Sequence, residues 1–296
     1  MRMFNRLFLF EIFTSRLLIR DTSLSVVEQL LLASLEGDRK EVDAKTVKKA
    51  FSFLPDPDSP NVNPYDGLEK NSVAVIPVNG MMTKYSYWWM PGCDELADMI
   101  RQADRSSNIA GTILLFDTPG GTTNAVIQLE DALRNRVKPC LALIDGLCDS
   151  AGLYAASLCD EIYAVNRMCE AGSIGTYARI IDTGEAEKKW GYRIEYIYPP
   201  ESKFKNLPVR EALEGKPERL IREMLTPYAI HFQNIIRENR PRMDTSVEGI
   251  LEGRVFYAYE AIENGLIDGL MNLNQAIDRV RLLAEQKKSF YSQLNI

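Results

Sequence analysis

The chain has 296 residues, of which 46% are hydrophobic, 26% charged and 9% aromatic, a globular composition with apolar material enough for a substantial core without help from metals or disulfides. Thirty-five Lys and Arg against 41 Asp and Glu leave a net charge of −6. The basic residues gather nowhere, so the electrostatic footprint of a nucleic-acid partner is missing; the length predicts about two domains, or one large α/β unit with extensions.

The opening MRMFNRLFLFEIFTSRLLIR is apolar but interrupted by Arg6, Glu11, Arg16 and Arg20. Its longest uncharged apolar run, Leu7 to Phe10, falls far short of the roughly 20 residues that span a bilayer. The expectation is therefore no signal peptide, no transmembrane helix and a cytoplasmic location. Phe4, Leu7, Phe8, Glu11 and Ile12 sit at helical spacing, as in a helix that packs on the protein or a sister subunit in preference to a membrane surface. Residues 25–36 and 43–53 also read as helices, giving an N-terminal helical extension over 1–53. The segment LPDPDSPNVNPYDG carries four prolines and makes 54–72 a linker.

From 73 onward, strand alternates with helix. Strands are predicted over 73–78, 111–116, 139–144, 161–165 and 193–197, and helices over 93–103, 126–135 and from Ser150. Such alternation predicts parallel strands joined by helical crossovers. After Pro199 and Pro200 the chain reads as mainly helical, with amphipathic runs over 217–240 and 273–287. The core is thus placed at 73–270 and a C-terminal helix at 271–296.

Two glycine-rich junctions follow strands: Asp117-Thr118-Pro119-Gly120-Gly121 and Asp149-Ser150-Ala151-Gly152. Carboxyl ends of strands are where open α/β sheets place ligands, and glycines there let backbone amides approach an anion or a developing oxyanion. A serine at the head of the following helix can present its hydroxyl to a cleft. The single histidine, His231, falls inside the helical run TPYAIHFQNII and reads as structural, which leaves a Ser-His-Asp triad unsupported. Lysine is the remaining base, usable where burial lowers its pKa. Lys188 and Lys189 lie on an acidic, solvated face; Lys203 and Lys205 flank Phe204 in a loop. The five cysteines, Cys93, Cys140, Cys148, Cys159 and Cys169, show no CxxC pair and read as buried apolar residues in a reducing compartment. Cofactors and metals are not implied.

These motifs carry a resemblance. VAVIPVNGMM, DTPGG, DSAGLYAAS, AGSIGTYA, SKFKNLPVREAL and EGRVFYAYEAIENGLIDGL, in that order between Val73 and Gly269, resemble the signal peptide peptidase A family of serine peptidases. Within it they resemble the phage-type members that act as head maturation proteases. The resemblance implies a ClpP/crotonase-like spiral core and an endopeptidase acting on protein or peptide, here capsid or scaffold proteins of an assembling phage prohead. It makes Ser150 the nucleophile, Lys205 the general base with Lys203 as fallback, and the amides of Gly120, Gly121 and Ala151 the oxyanion hole. It also implies a homo-oligomer, since serine and lysine of one site can come from neighbouring subunits. The chain departs from the family pattern at Thr118, Asp149, Ala151 and Asn206. Rival readings are a membrane-associated signal peptide peptidase, a crotonase-type enzyme using the same loop amides, and a catalytically silent scaffold of the same fold.

Overall fold

The computed structural model of the protein describes residues 17–19, 63–86 and 90–293. The amphipathic N-terminal stretch, the helices expected at 25–36 and 43–53 and the first part of the linker lie outside the described residues. Within the segment read as a helical extension, the described part is a strand, β1 (Leu17–Ile19).

The centre of the molecule is a parallel sheet. β2 (Ser72–Asn79) pairs with β3 (Ile109–Thr118), β3 with β5 (Cys140–Asp149), β5 with β6 (Glu161–Ala164) and β6 with the short β9 (Gly269–Leu270), all parallel. β4 (Gly120–Thr122) stands outside this sheet and pairs antiparallel with β1. β3 and β5 are apolar nearly throughout and buried on both faces, as interior parallel strands must be. β2, nearer the edge, buries only alternate residues.

Helices cover both faces. α1 (Cys93–Arg105) buries Cys93, Leu96, Ala97, Met99, Ile100 and Ala103, a stripe at spacings of three and four that fits one helical face. α2 (Thr123–Arg134) and α3 (Ala151–Ser157) join it on the larger core with Phe116, Ile144 and Leu153. Burying each such Leu, Ile or Phe is worth about 1.5–3 kcal/mol. On the opposite face Ile113, Leu141 and Leu143 meet Ala276 and Val280 of the C-terminal helix (Leu273–Gln293).

The expected α/β class is what the structure displays, a parallel sheet with helices on both faces, and β5 supplies its turn. Residues 141–144 of β5 pair with β6, whereas residues 147–149 pair with β7 (Glu170–Gly172), which pairs antiparallel with β8 (Val255–Tyr257). β5 therefore runs five residues beyond the expected 139–144 strand, straight into Ser150. The register slips between Phe116 and Thr118 where β3 follows it. The helical run at 217–240 forms as expected, as Glu218–Leu220, a π-helical turn at Ile221–Leu225 and Thr226–Asn239.

One expected strand does not form. Residues 193–197 make no ladder, although Trp190, Tyr192, Ile194 and Tyr196 alternate as a strand should. These four side chains are exposed, because no strand edge among the described residues runs beside them.

Candidate active site

Both glycine junctions end at one place. β3 closes with Asp117 and Thr118, and three bonds lock the turn that follows: Gly80 N–H donates to the Asp117 carbonyl (3.0 Å), the Thr118 hydroxyl donates to the Gly80 carbonyl (2.6 Å), and Gly120 N–H donates to Thr118 Oγ1 (3.1 Å). Gly120 sits at φ +99°, a region other residues avoid. At Gly121 the constraint is space: a Cβ would lie 1.8 Å from the Met82 carbonyl oxygen. Met82 in turn donates to the Gly120 carbonyl (2.8 Å) and accepts from Thr122 N–H (3.0 Å). Of the two glycine amides, that of Gly120 is occupied by Thr118, so Gly121 is the one that the turn itself leaves open.

The nucleophile candidate is held in a strained backbone. Ser150 has φ 54° and ψ −114°, a conformation sparsely populated for a residue with a side chain and of the kind that concentrates at functional sites. It is 2% exposed. Its N–H donates to the Gly172 carbonyl (2.8 Å) and its own carbonyl accepts from Tyr154 N–H (2.9 Å), opening α3. Ala151 heads that helix, where the first amides have no intrahelical acceptor. The Asp117 carboxylate accepts from Leu147 N–H (3.2 Å), tying the DTPGG turn to the segment of β5 that delivers Ser150.

The departures from the family pattern have local accounts. Thr118 brings a methyl that serine would lack, and Gly152 makes room for it: a Cβ at position 152 would meet Thr118 Cγ2 at 2.5 Å. Asn206 adopts the left-handed conformation, φ 56° and ψ 15°, which asparagine tolerates better than most residues. Pro208 then falls in the first turn of the helix Leu207–Leu213, where a missing N–H costs nothing. Asp149 is wholly buried rather than turned to solvent.

All five cysteines are free and buried. Burial, with the Asp149 charge adding to it, pushes the Cys148 thiol well above its ordinary range, so it is no substitute nucleophile. His231 lies 3.1 Å from the Tyr154 hydroxyl through Nε2, and that hydroxyl donates to Glu130 (2.6 Å). The three residues join α2, α3 and the helix Thr226–Asn239 behind the site.

Ser150, Gly120, Gly121 and Ala151 thus belong to one connected framework; the lysines do not join it. Lys203 and Lys205 are exposed, in the turn after the 3-10 helix Pro200–Ser202. Lys205 N–H donates to Ser202 O (2.9 Å), and Lys203 Nζ lies 5.3 Å from the Phe204 ring centre. Neither is hydrogen-bonded to Ser150, and a single chain does not provide the burial expected for the base. Reading the sequence missed Met82, Asp117 and Gly172 as positioning groups, because two of them act through backbone atoms. The Asp of DTPGG was the one visible signal.

Comparison with known proteins identifies the family. The model of "Peptidase family S49" matches residues 132–287, more than half of the chain. The protein belongs to peptidase family S49. Among relatives, capsid assembly protease C of Escherichia phage lambda is 28% identical over 281 residues, covering 88% of this chain and 61% of its own length. Protease 4 of Haemophilus influenzae is 24% identical, covering 74% of this chain and 36% of its own length. Head-tail preconnector protein GP5 of Enterobacteria phage P21 is 26% identical, covering 70% and 42%. The chain therefore spans about three fifths or less of the length of these S49 relatives. A solved structure, the 1510-N membrane-bound stomatin-specific protease S97A mutant, aligns with a TM-score of 0.45 at 19% identity, covering 71% of this chain and 84% of that one.

Proposed function

We propose that this S49 member is a serine endopeptidase in which Ser150 is the nucleophile and Lys205 the general base, with Lys203 as the alternative. The observation that carries the reading is the backbone of Ser150, a buried serine held at φ 54° and ψ −114° where β5 breaks into α3. Neutral lysine Nζ takes the hydroxyl proton as Ser150 Oγ attacks the peptide carbonyl carbon. The N–H groups of Gly121 and Ala151 donate to the oxyanion. The proton passes to the leaving amine as the C–N bond breaks, and water then hydrolyses the acyl-enzyme by the same steps. Such amides matter most where water is excluded, which fits the burial around Ser150.

A lysine serves as base only when desolvated, and the exposed segment that carries Lys203 and Lys205 supplies a reason for a second copy of the chain. Trp190, Tyr192, Ile194 and Tyr196 are exposed a few residues before the lysines. Docking that stretch on a sister subunit covers it and carries the lysine into a site, so the working unit is a homo-oligomer. For substrate we favour capsid or scaffold protein over membrane-bound signal peptides. The phage lambda capsid assembly protease matches over 88% of this chain, against 74% for the Haemophilus protease. Among the described residues no helix is long and apolar enough to cross a membrane.

The test is intact-mass measurement after exposure to a fluorophosphonate, on wild type, Ser150→Ala, Lys205→Ala and Lys203→Ala. Wild type gains one adduct, Ser150→Ala gains none, and Lys205→Ala labels far more slowly. Equal labelling of wild type and Ser150→Ala refutes the nucleophile. A wild-type oligomer that never labels favours the silent scaffold, the reading to which the solvent-exposed lysines give support.

A further inference from the structure

β4 is bound along both of its edges. On one, Met82 holds the Gly120 carbonyl and the Thr122 N–H, in a parallel bridge centred on Gly121. Successive residues of a strand turn their N–H and C=O to opposite edges. Those two bonds therefore leave the N–H and C=O of Gly121 facing the other side. β1 lies there, antiparallel, with Leu17 opposite Thr122, Leu18 opposite Gly121 and Ile19 opposite Gly120. β1 and β4 form a sheet of their own, and among the described residues β1 has no other strand partner.

An extended segment laid along a strand edge is how a peptide is bound through its backbone alone. Here the segment is part of the chain itself, and it faces the one glycine amide that the turn leaves available. We propose that residues 17–19 are an autoinhibitory strand that occupies the peptide-binding edge of Gly120–Thr122 and must withdraw before a substrate can pair there. The proposal rests on the role given above to Gly121, and it names the first competitor for that site. Occupant and substrate use the same N–H and C=O, so they exclude one another. Because the occupant is tethered, the competition is intramolecular and does not weaken on dilution.

The experiment uses the full chain with Leu18→Pro, which removes the N–H opposite Gly121 and cannot continue a ladder. Leu18→Ala, which keeps the backbone, is the control. Hydrogen exchange of the segment 117–124 is followed in a Ser150→Ala background, where catalysis plays no part. Exchange there speeds up by about tenfold or more with Leu18→Pro and stays unchanged with Leu18→Ala. Unchanged exchange in both overturns the proposal. Hydrolysis of fluorescently labelled casein is then compared in chains that keep Ser150. Leu18→Pro cleaves several-fold faster than wild type, and equal rates overturn the inhibitory role. If exchange speeds up as stated but no form labels at Ser150, the covering of the edge by β1 is upheld and the peptidase reading is what fails.

Discussion

Replacing Gly121 by alanine tests the oxyanion assignment through one methyl group. The added Cβ would lie 1.8 Å from the Met82 carbonyl oxygen and 2.6 Å from Met82 Cβ. Both contacts fall below the 3.0 Å that real Cβ atoms keep, and the first involves backbone, which cannot swing aside. β4 must retreat from Met82 by about 1.2 Å, the difference between 1.8 Å and 3.0 Å. Two hydrogen bonds are stretched, Met82 N–H to Gly120 O and Thr122 N–H to Met82 O, at a cost of about 1–3 kcal/mol in stability. The Gly121 amide moves with the strand. A misplacement of about 1 Å costs roughly a hundredfold in rate, and loss of one oxyanion donor about 10²–10³ in kcat. The assay is steady-state hydrolysis of a fluorogenic peptide beside urea unfolding. The expected variant remains folded, loses a few kcal/mol at most, and drops in kcat by two to three orders of magnitude. Activity within threefold of wild type would refute the placing of Gly121 at the oxyanion.

Thr118 and Gly152 should behave as a coupled pair. Gly152→Ala drives a methyl to 2.5 Å from Thr118 Cγ2 and destabilises the fold by about 1–3 kcal/mol, whereas Thr118→Ser removes that methyl and keeps the bonds to Gly80 and Gly120. The double variant should recover at least half of the loss in a thermal or urea titration, and strict additivity would deny the contact. Asp268 should govern acid stability. Burial raises its pKa, but the Arg240 guanidinium at 2.9 Å through both nitrogens, the Ile162 N–H at 2.8 Å and Arg242 outweigh that and hold the carboxyl below the ordinary range. A folded-state value below the unfolded one gives stability that is complete above about pH 4 and lost as pH falls through the folded value. Asp268→Ala strands the buried Arg240 charge, costs about 3–5 kcal/mol at pH 7 and flattens the acid limb of the stability curve; an unchanged acid limb would contradict this.

The elements with strong periodicity were legible in the amino-acid order. The stripe of α1, the apolar runs of β2 and β3, and the long helix at the C-terminus follow from which residues recur at which spacing, since burial selects for those spacings locally. The site's outline was legible too, because DTPGG and DSAG need glycine and serine at fixed steps from a strand end. Residues 193–197 mark the limit: Tyr192, Ile194 and Tyr196 alternate as a strand does, yet a strand exists only where another edge offers N–H and C=O groups, and none of the described residues does so.

What the sequence by itself determined is therefore the α/β class, the order of the core elements and the two junctions that meet at the site. Only the tertiary structure decided the rest. That the N–H and C=O of Gly121 face away from Met82 depends on Met82 arriving from another turn. That β1 reaches β4 joins residues about a hundred positions apart, and that Ser150 stands in a strained backbone depends on Gly172 accepting its N–H. Each is a contact between segments distant along the chain, made through backbone atoms that every residue carries, so no side-chain pattern encodes it.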